Sequence, residues 1–471
     1  MIKNFNLRSP QFVFIFLLVL FAGIAPVSAL AQQESSAKPQ GKTQLQTASD
    51  RRIAETNAAL ITELDINGLK VLVKRRAGSQ SVVAGLFLRG GSRNVTAANA
   101  GIEPLMLDVA TEASQKFPRE QLRRELARMG TTISSGSNYD YSVLSMGTTR
   151  RNFDRSWEIF TDVALRPTFA QDDFERIKNR TLIGLQSEAD TPDAFLQLLQ
   201  ARVAYAGHPY LNDPEGTSES VSRLKPEDLR RYHAQMMQTS RLLLVIVGDL
   251  DAATLRERLN TSFGRLPRGE YRSEPTPQLS FTAQTVDITP RPIPTNYVQG
   301  IFAAPSLTNP DIYPMRVASS ILQSRVFTEV RLRRNLSYAP DAFLRSQGAN
   351  IGGIYVTAVD ANQAVKVMLG EIYRLQNERT DQSDIAAQMQ QYLTTYYMGE
   401  ETNAAQAAEL ALYELIGGGW RNSLDYIAKL RAVSPADVQR VARQYMRNLR
   451  FVVIGDPARI DKNIFTNQTI E

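Results

Sequence analysis

Two histidines, His208 and His233, are the only imidazoles in 471 residues, and they stand 25 residues apart. That spacing excludes H-x-x-E-H and H-E-x-x-H, the motifs in which two histidines one helical turn apart hold zinc and a glutamate activates water. The chain has no cysteine, so thiolate zinc sites, disulfides and cysteine nucleophiles are excluded as well. Glu103, Asp108 and Glu112 could form a carboxylate-only site. Oxygen donors of this kind suit Mg or Ca better than Zn, and acids along a surface helix are expected to be solvated. Neither histidine sits in a recognisable triad, and His208, beside Pro209 and Tyr210, reads as a structural loop residue. Ser–Lys hydrolytic chemistry stays open.

The length fits two domains of about 200 residues plus ends, and 43% hydrophobic residues supply a core for each. Lys3 and Arg8 precede the apolar run Phe12 to Ala25, and Ala29-Leu30-Ala31 ends in a small-x-small exit. This pattern predicts a secretory signal peptide over 1–31, cleaved after Ala31. A retained membrane anchor is the alternative; the run is short for a bilayer span, and no membrane attachment is expected after cleavage. A bacterial periplasm suits an exported chain without cysteine. The net charge of +6 is spread along the chain with no long block of one sign, which gives nucleic-acid binding little support.

Residues that could do chemistry must be held by ordered elements, and those elements repeat. Residues 224–249 read LKPEDLRRYHAQMMQTSRLLLVIVGD and residues 433–456 read VSPADVQRVARQYMRNLRFVVIGD. Each copy is a Pro-started amphipathic helix followed by an apolar strand closing on Gly-Asp, which implies two tandem domains of one fold. Residues 32–57 lack apolar periodicity and read as a flexible lead. Residues 61–76 predict a hairpin about Asn67-Gly68, and Val82 to Arg89 a buried strand stopped by Gly90-Gly91. A helix is expected over Arg119 to Met129 with Gly130 as its C-cap, paired strands over Ile133 to Thr148, and an amphipathic helix over Phe153 to Leu165. Six prolines between Leu266 and Pro294 predict an extended linker over 266–294. The second half then gives strands at Tyr297 to Ala303 and Gly352 to Ala358, with helices between and after them. Gly417-Gly418-Gly419 follows a helix and reads as its stop.

Several segments together resemble the pitrilysin-type zinc peptidases of the M16 family, which include the mitochondrial processing peptidases. These are the Gly-rich stop at Gly90-Gly91, Ala100-Gly101-Ile102 entering a helix, Gly207-His208-Pro209-Tyr210, and Gly216-Thr217-Ser218-Glu219. The resemblance runs over roughly residues 58–471. It implies an α+β chain with two tandem homologous α/β-sandwich domains of the M16 fold (the LuxS/MPP-like metallohydrolase fold), at 58–265 and 295–471. Active members carry an inverted H-x-x-E-H after the first Gly-Ile and a third ligand, a glutamate, about 75 residues later. Here Pro104, Leu107 and Asp108 stand in the motif's register and Gly184 at the later position. The zinc site is therefore expected to be degenerate, and the chain to bind no cofactor.

The second half reads RVFTEVRLRRNLSY over 325–338. In family members the matching stretch carries an Arg and a Tyr seven residues apart that reach into the zinc-bearing half. The resemblance assigns that pair to Arg331 and Tyr338, as a guanidinium and a phenol that stabilise charge on the scissile carbonyl. The glycine-rich loop that often precedes this helix is absent: Ser319 to Arg325 contains no glycine. The reading is an exported, non-catalytic subunit paired with a zinc-bearing M16 homologue, acting on an extended peptide added to a sheet edge. An inert scaffold or peptide-binding homologue is the alternative. An autonomous hydrolase has little in the sequence to support it.

Overall fold

The computed structural model describes residues 40–467, so the expected signal peptide at 1–31 lies outside the described residues. The described residues from Asp50 onward form one compact unit. Residues Gln40–Ala59 are helical, which corrects the flexible lead expected to reach residue 57. The segment holds four Ala, three Gln and two Arg, which favour helix by propensity alone, without the apolar stripe that the sequence reading relied on.

The first half builds a six-stranded sheet from β1 (Ile61–Ile66), β2 (Leu69–Arg75), β3 (Ser81–Arg89), β4 (Thr132–Ser137), β5 (Tyr141–Thr149) and β6 (Leu242–Gly248), in the order β1-β2-β6-β3-β5-β4. The β1–β2 hairpin turns at Asn67 (φ 54°) and Gly68 (φ 86°). Both central residues take positive φ, as the type I′ turn requires. The second half builds a five-stranded sheet from β7 (Thr285–Pro290), β8 (Asn296–Ala303), β9 (Asp341–Leu344), β10 (Ile351–Ala358) and β11 (Arg450–Gly455), in the order β7-β11-β8-β10-β9.

The two orders superimpose once β1 is set aside. In each, the strand that closes the repeat runs parallel to its outer neighbour, β6 beside β2 and β11 beside β7, and antiparallel to the next strand in. Strand β7 therefore occupies the place that β2 holds in the first half. It lies inside the stretch expected to be linker, because the surrounding prolines hide a six-residue strand. Pro290 ends it at the sheet edge, where a missing N–H is tolerated.

Helices cover one face of each sheet, and on the other face the two halves exchange helices. The helix Asn403–Ile416 and Trp420, from the second half, pack on the first sheet, where Ala407, Leu410 and Ala411 join Leu72, Phe87, Leu243 and Val245 in one apolar cluster. Reciprocally, the helix Pro192–Ala204 sets Leu196 against Val452 and Ile454 of the second sheet. Polar contacts fix the exchange. Arg76 donates to Asn403 Oδ1 (2.7 Å) and Asn403 Nδ2 to the Ser81 carbonyl (2.7 Å). The Tyr210 hydroxyl and the Gly348 N–H both donate to Asp140.

Two carboxyls elsewhere in the fold, one of them on the exchanged helix Asn403–Ile416, are pushed up toward neutrality. Burial, and next Glu400, push the Glu409 carboxyl up to about 8. Burial, and next Asp213, push Glu215 up to about 7. The folded chain keeps protons that the unfolded chain has released, so these groups make stability decline as pH rises above the ordinary carboxylate range. Burial holds His208 and His233 below 6.5, which costs stability only as pH falls below that value. Between pH 6.5 and 8 the carboxyls act without opposition from the histidines. The urea midpoint is expected to fall across that interval, and Glu409→Gln to flatten the slope.

Candidate functional site

The helix Ile102–Ala110 carries Pro104, Leu107 and Asp108, the positions at which the family resemblance expects zinc ligands. Its start is fixed by two glycines at positive φ, Gly101 (88°) and Gly216 (80°). A Cβ at Gly216 would come within 2.5 Å of the Ala100 carbonyl oxygen, so only glycine lets the 213–217 loop close on the helix start. Ser220 Oγ adds a hydrogen bond to the same carbonyl at 2.8 Å. Two of the segments that carry the family resemblance thus pack directly against each other.

None of the expected ligand positions offers a zinc donor set. Pro104 sits in the first helical turn, where proline is tolerated. Leu107, at the general-base position, is buried in the core. Asp108 is the one donor, and it is already engaged: Ser135 Oγ of β4 donates to one oxygen, and Arg180 lies 3.5 Å from the other. Arg180 precedes Gly184 by four residues on the helix Gln171–Asp190, so it projects from the face that would bear the third ligand. A guanidinium from that helix therefore meets the aspartate at the expected ligand position.

The wider carboxylate set is dispersed. Glu103 is fully buried and accepts from Tyr232 (2.6 Å) and Asn94 (3.3 Å), with its carboxyl pushed up by burial. Glu112 pairs with Arg176 (2.8 Å) and Arg123 (3.0 Å). Among the described residues no group of three or more His, Asp or Glu side chains is arranged to hold a metal ion. His208 is the structural residue the sequence suggests. Its Nδ1 accepts from the Tyr210 N–H (3.1 Å), which leaves Nε2 to donate to the Pro277 carbonyl (3.0 Å). His233 is also structural, with Nε2 2.8 Å from the Ala164 carbonyl.

Arg331 and Tyr338 do come together. The Arg331 guanidinium lies 4.0 Å above the Tyr338 ring and 5.1 Å from that of Phe327. Arg331 sits on a π-helical stretch, Phe327–Arg333, that continues the helix Ile312–Val326. Such wide turns are rare and recur at functional sites. Glu329 binds the neighbours Arg333 and Arg334, the second of these most strongly, and its carboxyl is held below the usual range. Among the described residues no carboxylate pairs with Arg331. Tyr338 is 79% exposed and Leu332 65%. Among the described residues no hydrogen bond, ion pair or ring contact joins this pair to Asp108.

The fold and these positions match known proteins. A model of the M16 peptidase family (insulinase type) matches residues 70–213, and a model of the peptidase M16 inactive domain matches residues 223–392, together about two thirds of the chain. The chain belongs to the M16 peptidase family. It is similar to the zinc protease PqqE of Helicobacter pylori, 19% identical over 82% of this chain and 90% of that protein. It is also similar to the non-peptidase homolog YmxG of the same organism, 23% identical over 46% of this chain and 51% of that one. A crystal structure of a protease from Helicobacter pylori superimposes with a TM-score of 0.77 at 16% identity, covering 84% of this chain and 99% of that one. The M16 fold in two tandem domains is as the residues implied, and the chain is a homologue of the inactive M16 domain related to both zinc proteases and a non-peptidase. Sequence reasoning missed Arg180. An Arg four residues before the expected third-ligand position on one helix was the available signal.

Proposed function

We propose that this M16 chain is an exported, non-catalytic subunit that completes the active site of a zinc-bearing homologue. The observation that carries the reading is the pairing of opposites in one chain. Where zinc would sit, Arg180 meets Asp108; yet Arg331 and Tyr338 remain stacked, solvent-accessible and without a carboxylate partner. A cation and a phenol held this way suit an anionic carbonyl oxygen supplied from outside. Helicobacter pylori has both a zinc protease and a non-peptidase homologue similar to this chain, which supports a division of labour between two chains. Peptide would add along β4, the edge of the first sheet, whose short Thr, Ser and Gly side chains leave the backbone approachable. The exchanged helices tie the two halves together, so the closing motion falls between subunits.

Native purification tests the reading. It should bring down a homologue bearing H-x-x-E-H, and the pair, not the isolated chain, should cleave peptides. The isolated chain is expected to contain no stoichiometric zinc by elemental analysis, and one zinc per chain would overturn the assignment of Arg180–Asp108. Stable recovery with partners that have no peptidase activity would favour the scaffold alternative.

A further inference from the structure

Arg331 is not alone in the second half in lacking a carboxylate partner among the described residues. Arg316, on the helix Ile312–Val326 that runs on into the Arg331 segment, makes no salt bridge among the described residues. Its partners are neutral: Nη2 donates to Ser346 Oγ at 2.9 Å, and the Tyr426 hydroxyl bonds the same group. Its Nε is buried without an acceptor. Around it stand five tyrosines. Tyr426 lies under the guanidinium at 5.5 Å, Tyr313 and Tyr396 pack on Tyr426 with ring centroids 6.2 and 5.4 Å away, and Tyr392 and Tyr413 lie within its electrostatic reach. Glu409 is a carboxyl near these rings, but it bonds Glu400 and Tyr396 instead. Arg316 as a whole is half-buried, and its Nε is the enclosed part.

A guanidinium partly withdrawn from water without a counter-charge is costly to keep. Its planar fork matches a carboxylate, which accepts two parallel bonds. The ring wall beside it offers apolar contact. A peptide C-terminus brings both features from one residue, a carboxylate and an adjacent side chain. An internal Asp or Glu would instead carry its backbone amides into the rings. We propose that Arg316 and its tyrosines form a binding site for the free C-terminal carboxylate of a peptide ending in an apolar or aromatic residue. This rests on the peptide-handling reading above and adds a recognition site distinct from Arg331 and Tyr338.

The test needs no zinc-bearing partner, so it can fail or succeed independently of the shared active site. A short fluorescein-labelled peptide ending in phenylalanine and its C-terminal amide are titrated against the purified full chain by fluorescence anisotropy. The free acid should bind at least about tenfold tighter than the amide, the scale of a charge-assisted pair. Arg316→Gln should bring the two within about twofold, and Arg316→Lys should keep part of the difference. Arg331→Ala should leave it intact. Equal binding of acid and amide to the native chain overturns the proposal even if a variant misfolds, as does a preference that survives Arg316→Gln. An amidated peptide with an internal glutamate binding as well as the free acid overturns it too. Displacement by inorganic phosphate as effective as that by N-acetylphenylalanine would show a simple anion site instead.

Discussion

Replacing Arg331 by alanine, in the complex with a zinc-bearing homologue, should lower kcat about 10²- to 10³-fold with a much smaller change in KM. The asymmetry follows from where the charge is. A neutral substrate carbonyl gains little from a guanidinium, whereas the tetrahedral oxyanion gains a great deal, so the interaction is realised in the transition state. Tyr338→Phe removes one hydroxyl while keeping the ring under Arg331, and should cost roughly tenfold or more, consistent with a single lost donor. Arg333→Ala is the control. That side chain is spent on Glu329 and exposed, so turnover should stay within about twofold. Steady-state kinetics on the reconstituted pair separates these outcomes. Unchanged turnover in both Arg331 and Tyr338 variants would leave only the scaffold reading.

Some of this was legible from residue types because the local physics leaves few choices. Asn67-Gly68 between β-rich runs admits one kind of turn, and Gly130 one kind of cap, with φ at 62°. The loss of the zinc motif required only counting histidines. Other features depend on what lies far away in sequence. Strand β7 sits among six prolines and is a strand because β11 pairs with it. Strand β9, four residues long after Ser337–Pro340, is too short to show a period of two and escaped the sequence reading. The helix exchange was equally invisible, because an apolar stripe shows that a helix packs and not on which sheet. Arg180 has the same character. Its role appears only when two helices 72 residues apart bring it to Asp108.

The exchange carries the largest stability effect expected for a single side chain. Trp420 is 2% exposed, its Nε1 donates to Glu63 at 2.9 Å, and its ring joins Leu72, Phe87 and Leu243 beneath the first sheet. Trp420→Ala should cost about 3–5 kcal/mol, from lost burial and the cavity left behind. Glu63 would keep Lys70 and Arg421 as partners, so the loss is mainly one of packing. That is a large share of the roughly 5–15 kcal/mol that holds a domain together. Because the second half supplies the residue and the first half loses the contact, both should unfold at the same lower denaturant concentration. The chain has two tryptophans, so in this variant Trp157, set in the first-half core with Phe153 and Phe160, becomes the only fluorescent reporter of its kind. Its transition should coincide with that of far-UV circular dichroism, which reports both halves. Separate transitions would mean that the halves fold independently and that the exchanged helices only dock. A shared transition would make the two copies of the repeat one cooperative body.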